Sequence, residues 1–153
     1  MSFNDNIRVT GDVSVVVTDK DGVEKAIRFI PNLVVTTGKN HIAARMAGLL
    51  SGAGLEGALI SHIGFGTSVV APTVIDTILG SQLAARSVVD LSHTAATNTF
   101  TATATFTGTA GDITEAGMFN ALTGGTMICR TTFGAVTILS TDELAIAWTL
   151  TIN

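Results

Sequence analysis

Glu115 is the polar residue whose position could carry chemistry, because it shares one face of a predicted strand with Ile113 and Phe119. A carboxylate among apolar neighbours needs a charged or hydrogen-bonding partner. Arg130, on the second arm of the same predicted hairpin, or Arg86, on another predicted strand, could supply that partner. The alternative is a catalytic carboxylate, but no second acid, base or nucleophile accompanies Glu115. We therefore expect a structural or interfacial ion pair.

The histidines and the cysteine do not form a recognisable metal site. His41, His62 and His93 lack the H-x-H or i, i+4 spacing of metal ligands, so each is predicted to be an isolated surface or boundary residue. Cys129 is alone, which excludes an intrachain disulfide and a thiol cluster. We expect it to be a small buried hydrophobe on a strand.

Two further motifs resemble functional sites only superficially. The sequence G-F-G-T at Gly64 to Thr67 lacks the following lysine and helix of a phosphate loop, so it is interpreted as a turn. Asp142 and Glu143 are adjacent, and adjacent strand residues point to opposite faces, so they cannot share a proton. They are predicted to lie in a solvated turn before the last strand. The sequence therefore predicts no enzyme, no cofactor and no metal.

The composition predicts a single domain over residues 1–153 that associates with other proteins. Of its residues, 46% are hydrophobic and only 13% are charged, so its surface should carry few charges and be partly covered by a partner. The net charge of −4 and the absence of a basic run disfavour nucleic-acid binding. No apolar stretch reaches the ~20 residues that span a bilayer, and no signal peptide is evident. We expect a protein made in a cytoplasm.

The clearest secondary structure is a β-hairpin whose arms cover residues 113–119 and 126–132. Its connector ends in Gly124 and Gly125, which can adopt positive φ angles. Residues 97–107 alternate, with Phe100, Ala102, Ala104 and Phe106 on one face and threonines on the other. Further strands are predicted at residues 7–17, 23–30, 33–35, 60–65, 84–91 and 141–152. Residues 68–80, which include Pro72, are predicted to cross the surface with at most one helical turn near residues 76–79.

One helix is predicted over residues 39–50, capped by Thr36 or Thr37. Its apolar stripe contains Ile42 and Met46, together with Leu49 and Leu50. About eight strands and one helix favour a mainly β fold, an antiparallel two-sheet sandwich of jelly-roll type. We expect its core to join the helix stripe to Phe100, Phe106, Leu144, Ile146 and Trp148.

Four segments resemble small structural proteins of tailed-bacteriophage virions. They are Asn32 to Asn40 (N-L-V-V-T-T-G-K-N), His62 to Thr67 with Ala71-Pro72 and Asp76-Thr77 after it, Ile113 to Asn120 (I-T-E-A-G-M-F-N), and Trp148 to Ile152 (W-T-L-T-I). Related motifs occur in head proteins and also in tail-fibre and collar proteins. The length, without a fibrous repeat, is similar to that of jelly-roll cement (decoration) proteins.

This resemblance implies a non-enzymatic protein on the exterior of the capsid that bridges and stabilises major capsid proteins. The alternative is a tail, collar or fibre-attachment protein. Self-association as a dimer or trimer is expected in either case. The predicted contact residues are Ser2, Phe3, Asn4 and Asp5 in an N-terminal arm over residues 1–6, and Pro72, Thr73 and Val74 in the surface excursion.

Overall fold

The structure is a computed structural model that describes residues 7–48 and 58–153. The described chain forms one helix and ten strands. In chain order these are β1 (Val9–Thr18), β2 (Glu24–Pro31), β3 (Leu33–Val34), α1 (Thr36–Met46), β4 (His62–Gly66), β5 (Ser87–Val88), β6 (Asp90–His93), β7 (Thr99–Phe106), β8 (Gly111–Phe119), β9 (Met127–Ile138) and β10 (Glu143–Ile152). Within these ranges, no helix has the length and apolar character needed to cross a membrane.

The strands form two antiparallel sheets that pack face to face. Sheet A has the order β2-β1-β10-β7-β6, and sheet B has the order β3-β9-β8-β4-β5. Phe65 of sheet B meets Phe106 of sheet A edge to face, with 4.7 Å between ring centroids, and Trp148 is fully buried in the same core. The predicted mainly β two-sheet sandwich is confirmed. Its assignment to the jelly-roll type stays a prediction.

Local sequence patterns account for the central strands of both sheets. In the β8–β9 connector, Gly124 and Gly125 have φ angles of +60° and +70°, as the predicted hairpin requires. In β7, Ala102, Ala104 and Phe106 are buried while the intervening threonines are half-buried or exposed. The predicted inward and outward faces of this strand are confirmed.

The helix departs from its prediction in its bounds, its cap and its buried face. It begins at Thr36, and Val35 occupies the cap position without a side-chain hydrogen bond. Thr37 donates instead to the backbone carbonyl of Met127, at 2.7 Å. Its buried residues are Gly38 and His41. A Cβ at Gly38 would collide with the Ile128 carbonyl, so the helix lies against β9 at this point.

This close approach rotates the buried stripe away from the predicted one. Ile42 packs against the core as predicted, but Met46 is 72% exposed, so its predicted core position is wrong. His41 is 3% exposed, and its predicted surface or boundary position is also wrong. Leu49 and Leu50 lie outside the described residues, as does the predicted arm with Ser2, Phe3, Asn4 and Asp5.

Residues 84–91 form two short strands and not the one predicted strand. β5 pairs with β4 in sheet B, and β6 pairs with β7 in sheet A. Val89, which is buried, lies at the crossing between the sheets. No helical turn forms at residues 76–79. A tight turn precedes them, in which the Asp76 N–H donates to the Thr73 carbonyl at 3.1 Å.

Candidate functional site: two surfaces for protein contact

Residues 67–83, named the strap here, leave β4 and return to it after crossing the outer face of sheet B. The Thr67 N–H donates to the Ser81 carbonyl at 2.9 Å, and the Leu83 N–H donates to the Phe65 carbonyl at 3.0 Å. The two ends of the strap are therefore held side by side, as in an Ω-loop. The predicted surface excursion over residues 68–80 is present, and what fixes it is a buried cluster of charges.

Glu115 and Arg130 form the ion pair that the sequence predicts. Arg130 Nε and Nη2 both donate to Glu115 Oε2, at 3.0 and 2.8 Å. The Arg130 side chain is 3% exposed and the Glu115 side chain is 0% exposed. The register of β8 and β9 places Gly117 opposite Arg130, so Glu115 and Arg130 lie on the same outer face of sheet B.

The Glu115 carboxylate also accepts hydrogen bonds from the strap backbone. Its donors are the N–H groups of Ser81 at 2.6 Å, Gly80 at 3.0 Å and Ser68 at 3.4 Å. These residues stand at the two ends of the strap. One buried carboxylate thus satisfies backbone donors that would otherwise be unpaired beneath the strap.

Arg130 extends the same network to the far part of the strap. Its Nη1 donates to Asp76 Oδ2 at 2.7 Å, and its Nη2 donates to the Val70 carbonyl at 3.1 Å. Asp76 accepts in addition from the N–H and the hydroxyl of Thr73, at 2.9 and 2.7 Å. Glu115, Arg130 and Asp76 are named the hub below, because they join both ends and the middle of the strap to sheet B.

Asp76 and Arg130 of the hub stay charged at neutral pH. Burial alone would raise the pKa of Asp76, but hydrogen bonds from Thr73 and Arg130 outweigh it and hold that pKa below its ordinary value. Burial would lower the pKa of Arg130, yet its hydrogen bonds to Glu115 and Asp76, and their negative charges, raise it. The ion pair between them therefore keeps the strap attached to sheet B at neutral pH.

Glycines in sheet B leave the space that the strap occupies. A Cβ on Gly66 would collide with the Ser81 carbonyl, and one on Gly117 would lie 3.0 Å from Leu79 Cδ2. A Cβ on Gly64 would lie 3.3 Å from Leu79 Cδ1. Leu79, itself buried, packs on this glycine-lined surface. Gly64 and Gly66 belong to β4, which ends at Gly66. The predicted turn at G-F-G-T is therefore wrong, because most of this motif is strand.

Arg86 is not the partner of Glu115. Its Nη1 donates to the carbonyls of Ala121 and Gly124, at 2.9 and 2.8 Å. Its guanidinium carbon lies 3.4 Å from the centroid of the Phe119 ring, a cation–π contact. Arg86 thus fastens the β8–β9 connector, and burial lowers its pKa.

The outward side of the strap is apolar, and it is the first of two candidate surfaces for protein contact. Five large side chains project from it with exposures between 46% and 80%, namely Val69, Val70, Val74, Ile75 and Ile78. They are named the strap tip. Of the predicted contact residues, Thr73 and Val74 are exposed and Pro72 is half-buried. The four other members were missed, although V-V-A-P-T-V-I-D-T-I is apolar without a strand or helix period.

The second surface is the outer face of sheet A, which none of the described residues covers with a comparable strap. β7 presents Thr101, Thr103 and Thr105 there, next to Ala145 and Ala147 of β10. On the outward side of the three central strands, the charged residues are Asp12 and Glu143, and no Lys or Arg is present. β2 adds the exposed side chains of Ile27 and Phe29 at one edge. This face is poor in charge.

The other predicted sites do not combine into a reactive centre in the described part of the chain. Asp142 is buried, contrary to its predicted solvated position, because Lys25 and the Leu139 N–H bind its carboxylate. Burial raises the pKa of the Cys129 thiol. His62 is half-buried and His93 exposed. Within residues 7–48 and 58–153, no group of three or more His, Cys, Asp and Glu could hold a metal ion.

Comparisons of the chain with protein-family models, with curated proteins and with solved structures find no match. The arrangement can hold a preformed apolar surface and present it to another protein. The polar side chains of the hub are engaged inside the molecule, in hydrogen bonds to the strap and to one another.

Proposed function

We propose that this chain is a non-enzymatic structural protein of a tailed-phage virion, a capsid decoration protein that bridges and stabilises major capsid proteins. The observation that carries the proposal is a pair of charge-poor surfaces on the two sides of one sandwich. These are the strap tip over sheet B and the outer face of sheet A. A bridging protein needs two such surfaces, because it must hold two neighbours at once.

The strap supports the proposal because it is fixed before any partner arrives. A loop with five exposed apolar side chains would lose much conformational entropy on binding if it were free to move. Here the hub, with Arg130 3% exposed, and the buried Leu79 have already fixed it. An exposed apolar patch held in this way is typical of a protein-contact surface.

The polar residues of the hub favour a structural role over catalysis. Each Glu115 oxygen accepts hydrogen bonds from the strap backbone, and Oε2 also accepts from Arg130. Asp76 is engaged with Thr73 and Arg130. A general acid or base needs an oxygen that can reach substrate, whereas these oxygens are directed at the protein's own backbone and its own arginine.

The outer face of sheet A has the dimensions of a shell contact. Five strands spaced ~4.8 Å apart and about eight residues long, at ~3.3 Å per residue, span roughly 600 Å². A standard interface takes about 800 Å² from each partner, so this face and its flanking loops suffice. A protein that binds only the assembled shell stabilises it by mass action, by about 2.7 kcal/mol at a free concentration of 100 Kd.

Copy number in the virion tests the proposal. Particles of the phage that encodes this chain are purified, and the chain is quantified against the major capsid protein by mass spectrometry with labelled peptides. A decoration protein is expected in hundreds of copies per particle. A few copies per particle would favour the tail, collar or fibre-attachment alternative, and complete absence from particles would overturn both.

A matched pair of variants tests which surface meets the shell. Phe29 is 76% exposed on sheet A and Ile75 is 80% exposed on the strap tip, so either can become aspartate without disturbing the core. Particles are stripped of the protein and then incubated with each variant. Phe29→Asp is expected to reduce occupancy of the shell. Wild-type occupancy with Phe29→Asp would exclude the outer face of sheet A as the shell contact.

A further inference from the structure

β2 is an edge strand of sheet A, so one side of its backbone faces β1 and the other side faces away from the sheet. The Gly11 carbonyl of β1 accepts a hydrogen bond from the Asn32 N–H at 2.9 Å, in the same register that pairs the two strands. In an antiparallel ladder, the residues that bond to the neighbouring strand alternate. Counting back from Asn32, we find that Phe29, Ile27 and Lys25 turn their N–H and carbonyl groups outward.

This outward-facing edge is short and ends at defined points. At one end Pro31 has no N–H, and its carbonyl accepts a hydroxyl group from β9 at 3.0 Å. At the other end the β1–β2 ladder shifts register, and Val23 uses both its N–H and its carbonyl in the turn between the strands. The free edge therefore consists of Lys25, Ile27 and Phe29, and it is symmetric about Ile27.

Arg28 contacts this edge without closing it. Its Nη1 donates to the Ile27 carbonyl at 2.9 Å, and that oxygen has a second lone pair. Within residues 7–48 and 58–153, the N–H groups of Ile27 and Phe29 have no hydrogen-bond partner. The Phe29 side chain is 76% exposed and that of Ile27 is 37% exposed, so the edge is accessible. Unpaired donors and acceptors along an accessible strand form a template for another strand.

We propose that β2 of one copy pairs antiparallel with β2 of a second copy, with Ile27 on the two-fold axis. Lys25 of each copy then lies opposite Phe29 of the other, and about six backbone hydrogen bonds form. The contact is isologous, so it closes as a dimer and joins two five-stranded sheets into one continuous sheet. It needs no shell, so it goes beyond the proposed function. It uses only the edge of sheet A, which leaves the strap tip and the outer face of sheet A uncovered.

The side chains of β2 complement one another in this register. Directly opposite residues of an antiparallel pair lie on the same face of the sheet. Arg28 would lie opposite Ala26, whose small side chain leaves room for the guanidinium group. Lys25, whose ammonium group pairs with Asp142, would cover the Phe29 ring with its aliphatic stem. No two like charges lie directly opposite each other.

Moving the two-fold axis by one residue gives a poorer contact. An axis at Arg28 would place the two guanidinium groups opposite each other. An axis at Ala26 would add exposed ion pairs, which stabilise little, but it would place Phe29 opposite Val23, whose backbone groups are already used in the turn. The axis at Ile27 pairs the outward groups of both copies. A second copy of this chain therefore fits the edge along its whole length.

A proline at the axis tests the backbone pairing. Ile27→Pro removes the outward N–H from both copies, at an edge position where the isolated chain tolerates proline. The wild-type chain should form a dimer in sedimentation velocity at roughly 50–500 µM, which suits a small interface. Ile27→Pro should be monomeric, whereas Ile27→Thr, which keeps the N–H, should still form the dimer. Circular dichroism spectra check that each variant is folded. A monomeric wild-type chain, or a dimer that persists in Ile27→Pro, would overturn the inference.

Engineered cysteines test the register without a proline. The one native cysteine, Cys129, is buried, so introduced surface thiols can be followed on their own. In the proposed dimer the two Ile27 Cα atoms lie about 5.5 Å apart, within reach of a disulfide, whereas the two Phe29 residues are roughly 13 Å apart along the strands. Under mild oxidation, Ile27→Cys should form linked dimers roughly tenfold faster than Phe29→Cys. Equal rates, or faster linkage of Phe29→Cys, would overturn the proposed pairing.

This inference and the proposed function can fail separately. A monomeric chain present in hundreds of copies per particle would remove the dimer and keep the proposed function. A β2-paired dimer that is absent from virions would do the reverse.

Discussion

The outer faces of the two sheets differ in what covers them. On sheet B the strap lies directly over Gly64, Gly66 and Gly117, and a buried ion pair between Glu115 and Arg130 fastens it. On sheet A the corresponding face presents mainly threonine, serine, alanine and valine from its central strands, and no strap from the described residues covers it. Both sheets have five antiparallel strands, so the difference lies in the side chains and not in the architecture.

The comparison shows how the covering of a sheet determines which residues it needs. Where the strap covers sheet B, the strands carry glycine, because larger side chains would leave no room for the strap. The Glu115 carboxylate can be buried there because N–H groups of the strap donate hydrogen bonds to it. Where no strap is present, each outward side chain must suit water or another protein, and threonine suits both while favouring the strand. Breaking the covered face should therefore cost stability, whereas breaking the open face should affect association.

Removing Arg130 should have the largest effect. Arg130→Ala leaves the fully buried Glu115 without its cation and also removes the tie to Asp76. Breaking a buried pair in this way costs about 3–5 kcal/mol of unfolding free energy. Urea denaturation followed by circular dichroism measures it.

Arg28 provides the control in sheet A. Among the described residues, its guanidinium donates to the carbonyls of Ile27 and Ala135. Arg28→Ala should cost no more than about 1 kcal/mol, because only hydrogen bonds to neutral groups are lost. Equal costs for Arg130→Ala and Arg28→Ala would show that the hub does not hold the strap.

A methyl group under the strap should have the next largest effect. In Gly66→Ala the new Cβ would collide with the Ser81 carbonyl and approach Glu115 Oε1, so the strap must lift or the strand must shift. Overpacking of this kind costs about 1–3 kcal/mol. Hydrogen exchange of the Ser81 N–H should accelerate together with the loss of stability.

Gly134 in β9 is the matched control, since a Cβ there meets nothing within 4 Å. Gly134→Ala should be neutral or stabilising by about 0.5–1 kcal/mol, because alanine loses less backbone entropy than glycine on folding. If both glycine variants behaved alike, close contact with the strap would not explain Gly66.

The sequence predicts those parts of the fold that depend on short-range patterns. The period of two in β7 and the positive-φ glycines of the β8–β9 connector are properties of neighbouring residues, and both are confirmed. Arg130 could be predicted as one of two partners for Glu115 for the same reason, because the two arms of a hairpin meet locally, whereas the sequence leaves the choice between Arg130 and Arg86 open. These elements lie in the middle of the sheets.

The features that depend on distant parts of the chain could not be predicted. The helix is oriented by Gly38 against the Ile128 carbonyl, and His41 is buried as a result. The glycines of β4 look like turn residues until Ser81 and Leu79 are seen to lie on them. Asp142 looks like a turn residue until Lys25, 117 residues away, is seen to bind it. In each case the deciding contact is between segments that no local pattern relates.

Lowering the pH should weaken the attachment of the strap to sheet B, because it protonates Asp76. The pKa of Asp76 lies below its ordinary value of 3.8, so the folded state binds this proton more weakly than the unfolded state does. The resulting stability is fully present above the ordinary pKa and is lost as the pH falls through the lower folded pKa. Unfolding free energies from about pH 6 to about pH 3 should decline, with a smaller slope in Asp76→Asn.

Asp142 provides the comparison with sheet A, because its pKa is also lowered, first by its hydrogen bond from Lys25 of β2. Asp142→Asn should reduce the same slope without changing hydrogen exchange at Ser81, whereas Asp76→Asn should change both. An unaltered slope in Asp76→Asn would mean that Asp76 does not link the strap to pH.

The smallest effect should come from one substitution made on both faces. Thr114, 6% exposed in β8, donates its hydroxyl to the Ser68 carbonyl of the strap at 3.0 Å. Thr114→Val removes that hydrogen bond and leaves a carbonyl under-satisfied, at a cost of about 0.5–1.5 kcal/mol.

Thr101 in β7 is half-buried on the open face, and its hydroxyl lies 3.4 Å from that of Thr149. Thr101→Val keeps the β-branched shape and should change the unfolding free energy by no more than about 0.5 kcal/mol. Denaturant titrations on the two variants measure the contrast, and a larger cost at Thr101 would show that the open face also contributes to the stability of the isolated chain.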